Sequence, residues 1–331
     1  MYETLNSFNM NEDDSCPLAC MNNQKICPYC LKDLNTIPHN KEHVIPAALG
    51  GSDSFIVYAS VDENSTLNKK IDSPFVNNEF VKLITSTTGA RNRSGKDSID
   101  ICGTIPATGE KVLVKIDQNG ITPRFYKNIE LAGDGGIQIK GFTDLEIQRR
   151  LDEMKKSVKK DNLILRKQGK QKKIEITGHG EYPPPEIKMS FPVDLGIIKD
   201  ELLKISYLSC VKTFGDSFIR SHSGMEINRL IHSENLEESK LKFNFSDNPF
   251  KDCISFKKEE HVVGIFYNSH NHTMYVFVNL FGVPFLTSLC IFEFNPPQDF
   301  VGVVYVNDST RKKMQTFSIF DFFRKRYYRK S

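Results

Sequence analysis

The chain has 331 residues with 44 Lys+Arg against 41 Asp+Glu, a formal net charge of +3, and at roughly 100–200 residues per domain it is long enough for two or three domains. Its 39% apolar content, with 24 Phe and 11 Tyr, excludes a wholly disordered chain. No apolar run reaches the length of about 18 that spans a bilayer, and the first residues are acidic and polar, so neither a membrane span nor a secretory signal is expected. On that reading the protein is cytoplasmic, and its eight Cys are metal ligands or core residues before they are disulfides.

In chain order, residues 1–15 read as a flexible acidic lead. Residues 16–100 form a first organised block that holds Cys16, Cys20, Cys27 and Cys30 close together. In 101–186 alternating apolar runs over 111–116 and 121–126 flank Asn119-Gly120, a strong hairpin signal. A helix over 143–160 follows, opened by Thr143 and carrying Leu145, Ile147, Leu151, Met154 and Val158 at helical spacing. The basic stretch 166–173 and Pro183-Pro184-Pro185 read as a linker. The last block, 187–331, is predicted to be α+β. It has helices over 194–214 and 223–232, a hairpin from strands 262–267 and 274–281, and further strands over 286–294 and 300–306. Cys102, Cys210, Cys253 and Cys290 stand in apolar contexts and are expected in the core.

Positive charge is clustered. Eleven Lys/Arg face three acids between Arg149 and Lys173, and the chain closes on Arg324-Lys325-Arg326-Tyr327-Tyr328-Arg329-Lys330. Such clusters serve a phosphate-contacting surface or, equally, a solvated helix face and a tail.

The stretch that carries chemistry is Cys27-Pro28-Tyr29-Cys30, then Glu42-His43-Val44-Ile45-Pro46-Ala47-Ala48-Leu49-Gly50-Gly51, then the segment from Asn64 to Asp72. A Cys-x-x-Cys turn can place two thiolates on one tetrahedral Zn²⁺. Acid-His before a β-branched pair and Pro suits a short strand that Pro terminates, and Gly-Gly turns the chain back. Such a hairpin presents one imidazole from a rigid strand, and a following helix completes a metal site with an amide or imidazole. Cys16 and Cys20 can add a second pair to make a Cys₄ zinc site. The alternative is that no zinc binds and packing of Leu67, Ile71 and Phe75 holds the helix.

These residues resemble the HNH endonucleases of the ββα-metal fold, in the branch with C-x-x-C, E-H-[IV]-I-P-x-x-L-G-G and C-x-x-C-N-x-x-[LF]-G-x-x-[IL]-D. The likeness spans about residues 27–85. Ser60 and Glu63 stand where the second zinc pair should be, and Asn68 replaces a Gly. No residue between Gly51 and Ser60 supplies the middle Asn. The resemblance implies an N-terminal ββα-metal domain in 16–100; with the patterns read above, the chain is expected to be α+β, with a middle β-hairpin/helix segment and linker in 101–186 and a C-terminal α+β domain with an antiparallel sheet in 187–331.

The resemblance further implies a metal-dependent hydrolase cutting phosphodiester bonds in DNA, with RNA as another substrate it leaves open. His43 would be the general base, since an imidazole is neutral and basic near neutral pH. Glu42 and Asn64 would hold Mg²⁺ or Mn²⁺, while Asp72 caps or positions the helix. Arg91, Arg93 and Lys96 form a basic loop for phosphate, joined by Lys69 and Lys70. The C-terminal domain would serve sensing, targeting or self-association, and a bacterial defence or mobile-element setting fits the family. His270 and His272 read as a hairpin tip. The competing reading is a catalytically silent HNH descendant that binds nucleic acid through the same block.

Overall fold

A computed structural model describes residues 24–90, 98–126, 129–131, 137–139, 141–166, 186–190, 192–233, 241–245, 248–250, 254–297 and 299–327. The chain is a mixture of helix and antiparallel sheet in two compact units, one formed by the described residues of 1–96 and 193–331 and the other by those of 97–192.

The first unit opens with strand β1 (His39–His43) and strand β2 (Ile56–Ser60), paired antiparallel with His39 opposite Ser60 and His43 opposite Ile56. Between them Pro46 ends pairing, a 3₁₀ turn covers Ala47–Leu49, and Gly50 closes it at φ +83°, a conformation that favours glycine. A Cβ at Gly50 would overlap the carbonyl oxygen of Ser309, and one at Gly51 that of Ile45. Both glycines of the motif are therefore required by close backbone approach. Helix α1 (Val61–Leu67) follows β2 directly, with Asp62 and Glu63 in its first turn, where acids oppose the positive end of the helix dipole. A π turn, Asn68–Asp72, leads to α2 (Ser73–Asn77) and buries Ile71 and Asp72. Helix α3 (Glu79–Thr88) starts at Asn78, whose Oδ1 accepts the N–H groups of Phe80 and Val81.

In the second unit β3 (Ser98–Thr104), β4 (Lys111–Asp117) and β5 (Gly120–Phe125) form a meander. The expected hairpin is present, and the register pairs Asp117 with Gly120 around the turn. Strands β6 (Ile129–Leu131) and β7 (Ile137–Ile139) pair with each other. Helix α4 (Asp144–Arg166) is opened by Thr143, whose Oγ1 accepts the Glu146 N–H. Strand β8 (Lys188–Met189) joins the edge of β3. Two expectations need correction. Cys102 is exposed because β3 alternates and Ile99 and Ile101 take the inner face, and Leu145 is 81% exposed rather than part of an apolar stripe. Arg149 and Arg150 pair with Glu153, and Lys155 lies near Asp152, so part of the basic run is spent on its own helix.

The chain then returns to the first unit with α5 (Leu195–Phe214), capped by Asp194, whose Oδ1 accepts the N–H of Gly196 and Ile197. Helices α6 (Asp216–Ile219) and α7 (His222–His232) follow. Strands β9 (Lys242–Phe245), β10 (Glu260–Asn268), β11 (Thr273–Leu280), β12 (Thr287–Glu293), β13 (Gly302–Asp308) and β14 (Lys313–Ser318) form one sheet in the order β14-β13-β10-β11-β12-β9. Helix α8 (Ile319–Tyr327) closes the described chain.

Helix α5 is buried almost all round, through Ile198, Leu202, Leu203, Ile205, Tyr207, Leu208, Cys210 and Val211. A helix apolar on every side must be covered on every side. Strands β10 to β12 cover one side, and β2, the π turn and α2 cover another. The blocks 16–100 and 187–331, read from the sequence as separate domains, thus meet in one core. The expected C-terminal phosphate cluster is also partly structural. Arg326 donates to Glu260 at 2.6 Å, Arg324 to Asp321 at 3.0 Å, and the Lys325 ammonium lies 4.6 Å from the Phe317 ring centre. Arg329 and Lys330, like the acidic lead, the Pro run and Cys253, lie outside the described residues. No described helix is long and apolar enough to cross a membrane.

Gly51→Ala is expected to cost about 1–3 kcal/mol through overpacking, read as a lower urea midpoint at unchanged slope.

Candidate active site around His43

Side chains alternate across a strand, so His39, Lys41 and His43 share one face of β1 while Asn40 and Glu42 take the other. That alternation separates the two residues of the Glu-His pair. The His43 side chain is 14% exposed, and its Nε2 lies 2.9 Å from Oδ1 of Asp53, itself 87% exposed. Asp53 titrates below the usual carboxylate range, first because of its hydrogen bond with His43 and then through the charges of His43, Lys312 and Lys41. Lys41 is exposed on the same face as His43. Its cross-strand partner is Tyr58, against which His39 packs edge-on at 5.9 Å.

Glu42 points the opposite way, into the core. Its Oε1 accepts from Lys204 Nζ at 2.5 Å and from the Tyr29 hydroxyl at 3.1 Å. Lys204 also donates to Asp72 Oδ1 at 2.5 Å, and Glu201 lies against Asp72 as a hydrogen-bond partner. Burial raises the pKa of Glu42 against the pull of Lys204, and raises that of Glu201 well above the carboxylate range, with Asp72 adding to the rise. Burial alone would lower Lys204, but the carboxylates of Asp72, Glu42 and Glu201 outweigh it and hold the ammonium charged. Asp72 is therefore a buried ion-pair member, not a helix cap.

Asn64 is also buried, and its Nδ2 donates to Asn40 Oδ1 at 2.7 Å and weakly to the Lys41 carbonyl. It ties α1 to β1 from the inner side. As joint ligands of one divalent ion, Glu42 and Asn64 do not fit. The carboxylate is already shared by an ammonium and a phenol, and the amide is turned to the neighbouring strand. Among the described residues no three His, Cys, Asp or Glu side chains gather so as to hold a metal ion.

Cys27 is buried, and its Sγ accepts the Ser60 N–H at 3.2 Å; Cys30 is half-buried. Desolvation raises the Cys27 pKa against backbone donors from Ser60, Cys30 and Tyr29. Cys16 and Cys20, the other half of the Cys₄ reading, lie outside the described residues, as do Arg91, Arg93 and Lys96. The packing of Leu67, Ile71 and Phe75 in the core is plain. The Cys turn is itself held from the C-terminal half: Tyr207 donates to the Pro28 carbonyl, Asn228 to that of Tyr29, and Asp216 accepts the N–H groups of Lys25 and Ile26. Lys69 is exposed, whereas Lys70 donates to the His232 carbonyl at the end of α7. His272 sits at the β10–β11 tip with φ +52° and bonds the Tyr267 hydroxyl.

Asp53, Lys204 and Asn307 were not legible as site residues. Asn307 is fully buried; its Oδ1 accepts the Ser52 N–H at 2.9 Å and its Nδ2 donates to the Gly50 carbonyl at 3.0 Å. Beside it His261 Nε2 donates to the Leu49 carbonyl at 2.9 Å. The loop that carries Asp53 is thus clamped by the C-terminal sheet. Glu201 and Lys204, charged residues interleaved with Leu202, Leu203 and Ile205 in α5, were the available signal for the buried cluster.

Lys204→Met leaves buried carboxylates without their cation and is expected to cost about 3–5 kcal/mol in urea unfolding. Adding Glu42→Gln and Asp72→Asn should recover much of that loss. His261 has its pKa lowered to about 4 by burial, partly offset by its bond to Leu49. The unfolded chain therefore binds the extra proton first, and this contribution is complete above the unfolded pKa and lost as pH falls. From about pH 7 down to about pH 4, wild type should lose about 3 kcal/mol more than His261→Gln, read by urea unfolding at each pH.

No family model, no curated protein and no solved structure matches the chain.

Proposed function

We propose that the chain hydrolyses phosphodiester bonds of DNA in the cytoplasm, with His43 as general base. The observation that carries this reading is the His43–Asp53 pair, presented at the end of β1 in ββα order on the face that also holds Lys41. With the proton on Nε2 directed at Asp53, Nδ1 is the basic nitrogen. Nδ1 takes a proton from water as its oxygen bonds to phosphorus, and the bond from phosphorus to the leaving deoxyribose oxygen breaks, that oxygen taking a proton from solvent. Asp53 fixes the ring and stabilises the imidazolium, and Lys41 offsets the phosphate charge. Glu42 has no part in the chemistry. Zinc on Cys27 and Cys30 with Cys16 and Cys20 would be a staple for the Cys turn.

A second reading is favoured by one observation. Glu42, the family's metal-binding acid, is committed to Lys204 and Tyr29. A descendant that binds nucleic acid without cutting it would tolerate that arrangement.

Supercoiled plasmid, incubated both with Mg²⁺ or Mn²⁺ and in EDTA, separates the two. Wild type is expected to nick it, with His43→Ala slower by about 10²–10⁴-fold and Asp53→Asn slower by a smaller factor. Equal nicking by wild type and His43→Ala would refute the assignment of the base, and binding without nicking by any of the three establishes the silent reading.

A further inference from the structure

Resting on that reading, we infer that the β13–β14 turn supplies the second half of the phosphate-binding surface around His43, through Lys312 opposite Lys41, and that duplex DNA is what lies across it. The turn cannot stand away from the site. Ser309 meets Gly50 so closely that no side chain fits between them, and Asn307 grips the backbone of Gly50 and Ser52. Asp53 is the next residue in that loop.

The turn is also fixed in itself. Asp308 Oδ1 accepts the N–H groups of Thr310 and Arg311 and the Thr310 hydroxyl, an Asx turn. Lys312 then adopts φ +54°, half-buried between exposed Arg311 and Lys313.

The turn that Ser309 and Asn307 hold against Gly50 and Ser52 thus carries Lys312 toward the Asp53 loop, and the charges of Lys312 and Lys41, from distant parts of the chain, both act on Asp53. Among the described residues neither lysine forms an ion pair. The acids beside them are occupied: Asp53 holds His43, and Asp308 holds the turn and lies 3.8 Å from Arg311. Tyr58, 41% exposed and paired with Lys41 across the hairpin, adds an aromatic surface. Lysine charges on one face are what a duplex phosphodiester backbone is attracted to, and a tyrosine hydroxyl can donate to a phosphate oxygen.

The test is fluorescence anisotropy of a labelled duplex DNA across a salt series, with the full chain. Lys312→Asn removes the charge and keeps a residue that tolerates a positive φ; Lys41→Gln does the same on β1. Each is expected to weaken binding several-fold and to lower the log–log salt slope by about 1, with urea midpoints unchanged. Lys242→Gln on β9, at the opposite edge of the sheet, should change neither. Unchanged affinity and slope in both site variants, no duplex binding by wild type, or tighter binding of an RNA of equal length overturns the inference. Lysine-dependent binding without plasmid nicking supports this surface while removing the hydrolase reading. His43-dependent nicking with lysine-independent binding does the reverse.

Discussion

The ammonium of Lys204 lies between Glu42 and Asp72 at 2.5 Å from each, and most of the arrangement around His43 depends on it. An ionised carboxylate cannot be buried alone. Glu42 enters the core because α5 brings a cation to meet it, and Asp72 enters because the π turn rotates it toward the same cation. One side chain thus fastens β1 and the helical arm to the central helix. Glu201, whose carboxyl is pushed well above its ordinary range by burial with Asp72 adding to the rise, completes the group. Replacing such a cluster with apolar residues is often neutral, whereas breaking it is costly; what it supplies is a fixed register between two distant segments.

That register decides which side of β1 meets solvent. With Glu42 anchored inward, strand alternation turns His39, Lys41 and His43 outward. The imidazole then needs a partner on the solvent side, and Asp53 provides it from a loop gripped by Asn307, His261 and Ser309. The C-terminal sheet is accordingly part of the site's construction. A loop held at Leu49, Gly50 and Ser52 has little freedom to carry Asp53 away from the ring.

Much of the secondary structure was legible. The Asn-Gly hairpin, the helices near 194–214 and 223–232 and the hairpin over 262–281 all follow from local pattern, because turn chemistry and periodicity act within a few residues. The strand carrying Glu42-His43, the Pro stop and the Gly-Gly turn were legible for the same reason. Strand β14 and α8 were obscured by the basic run, since Lys and Arg give no periodic signal even where Arg326 and Lys325 are anchored to Glu260 and Phe317. The joining of the first and last blocks into one core was not legible either. Contacts such as Lys204 with Asp72 or Asn307 with Gly50 link residues 132 and 257 positions apart, and no local pattern names the distant partner. The division of Glu42 from His43 could be reasoned from alternation; which of them faced inward required knowing where the cation stood.

The Glu42-His43 pair is adjacent in sequence, and the geometry gives its two members different surroundings. A carboxylate whose Oε1 is shared by an ammonium and a phenol has its charge offset, so drawing it to a divalent ion would first require separating a buried ion pair. Among the described residues the imidazole's hydrogen-bond partner is Asp53, and that bond orients the ring through Nε2 and leaves Nδ1 unengaged. Glu42 thus sets the frame on its side of the strand, and His43 and Lys41 are what that frame presents on the other.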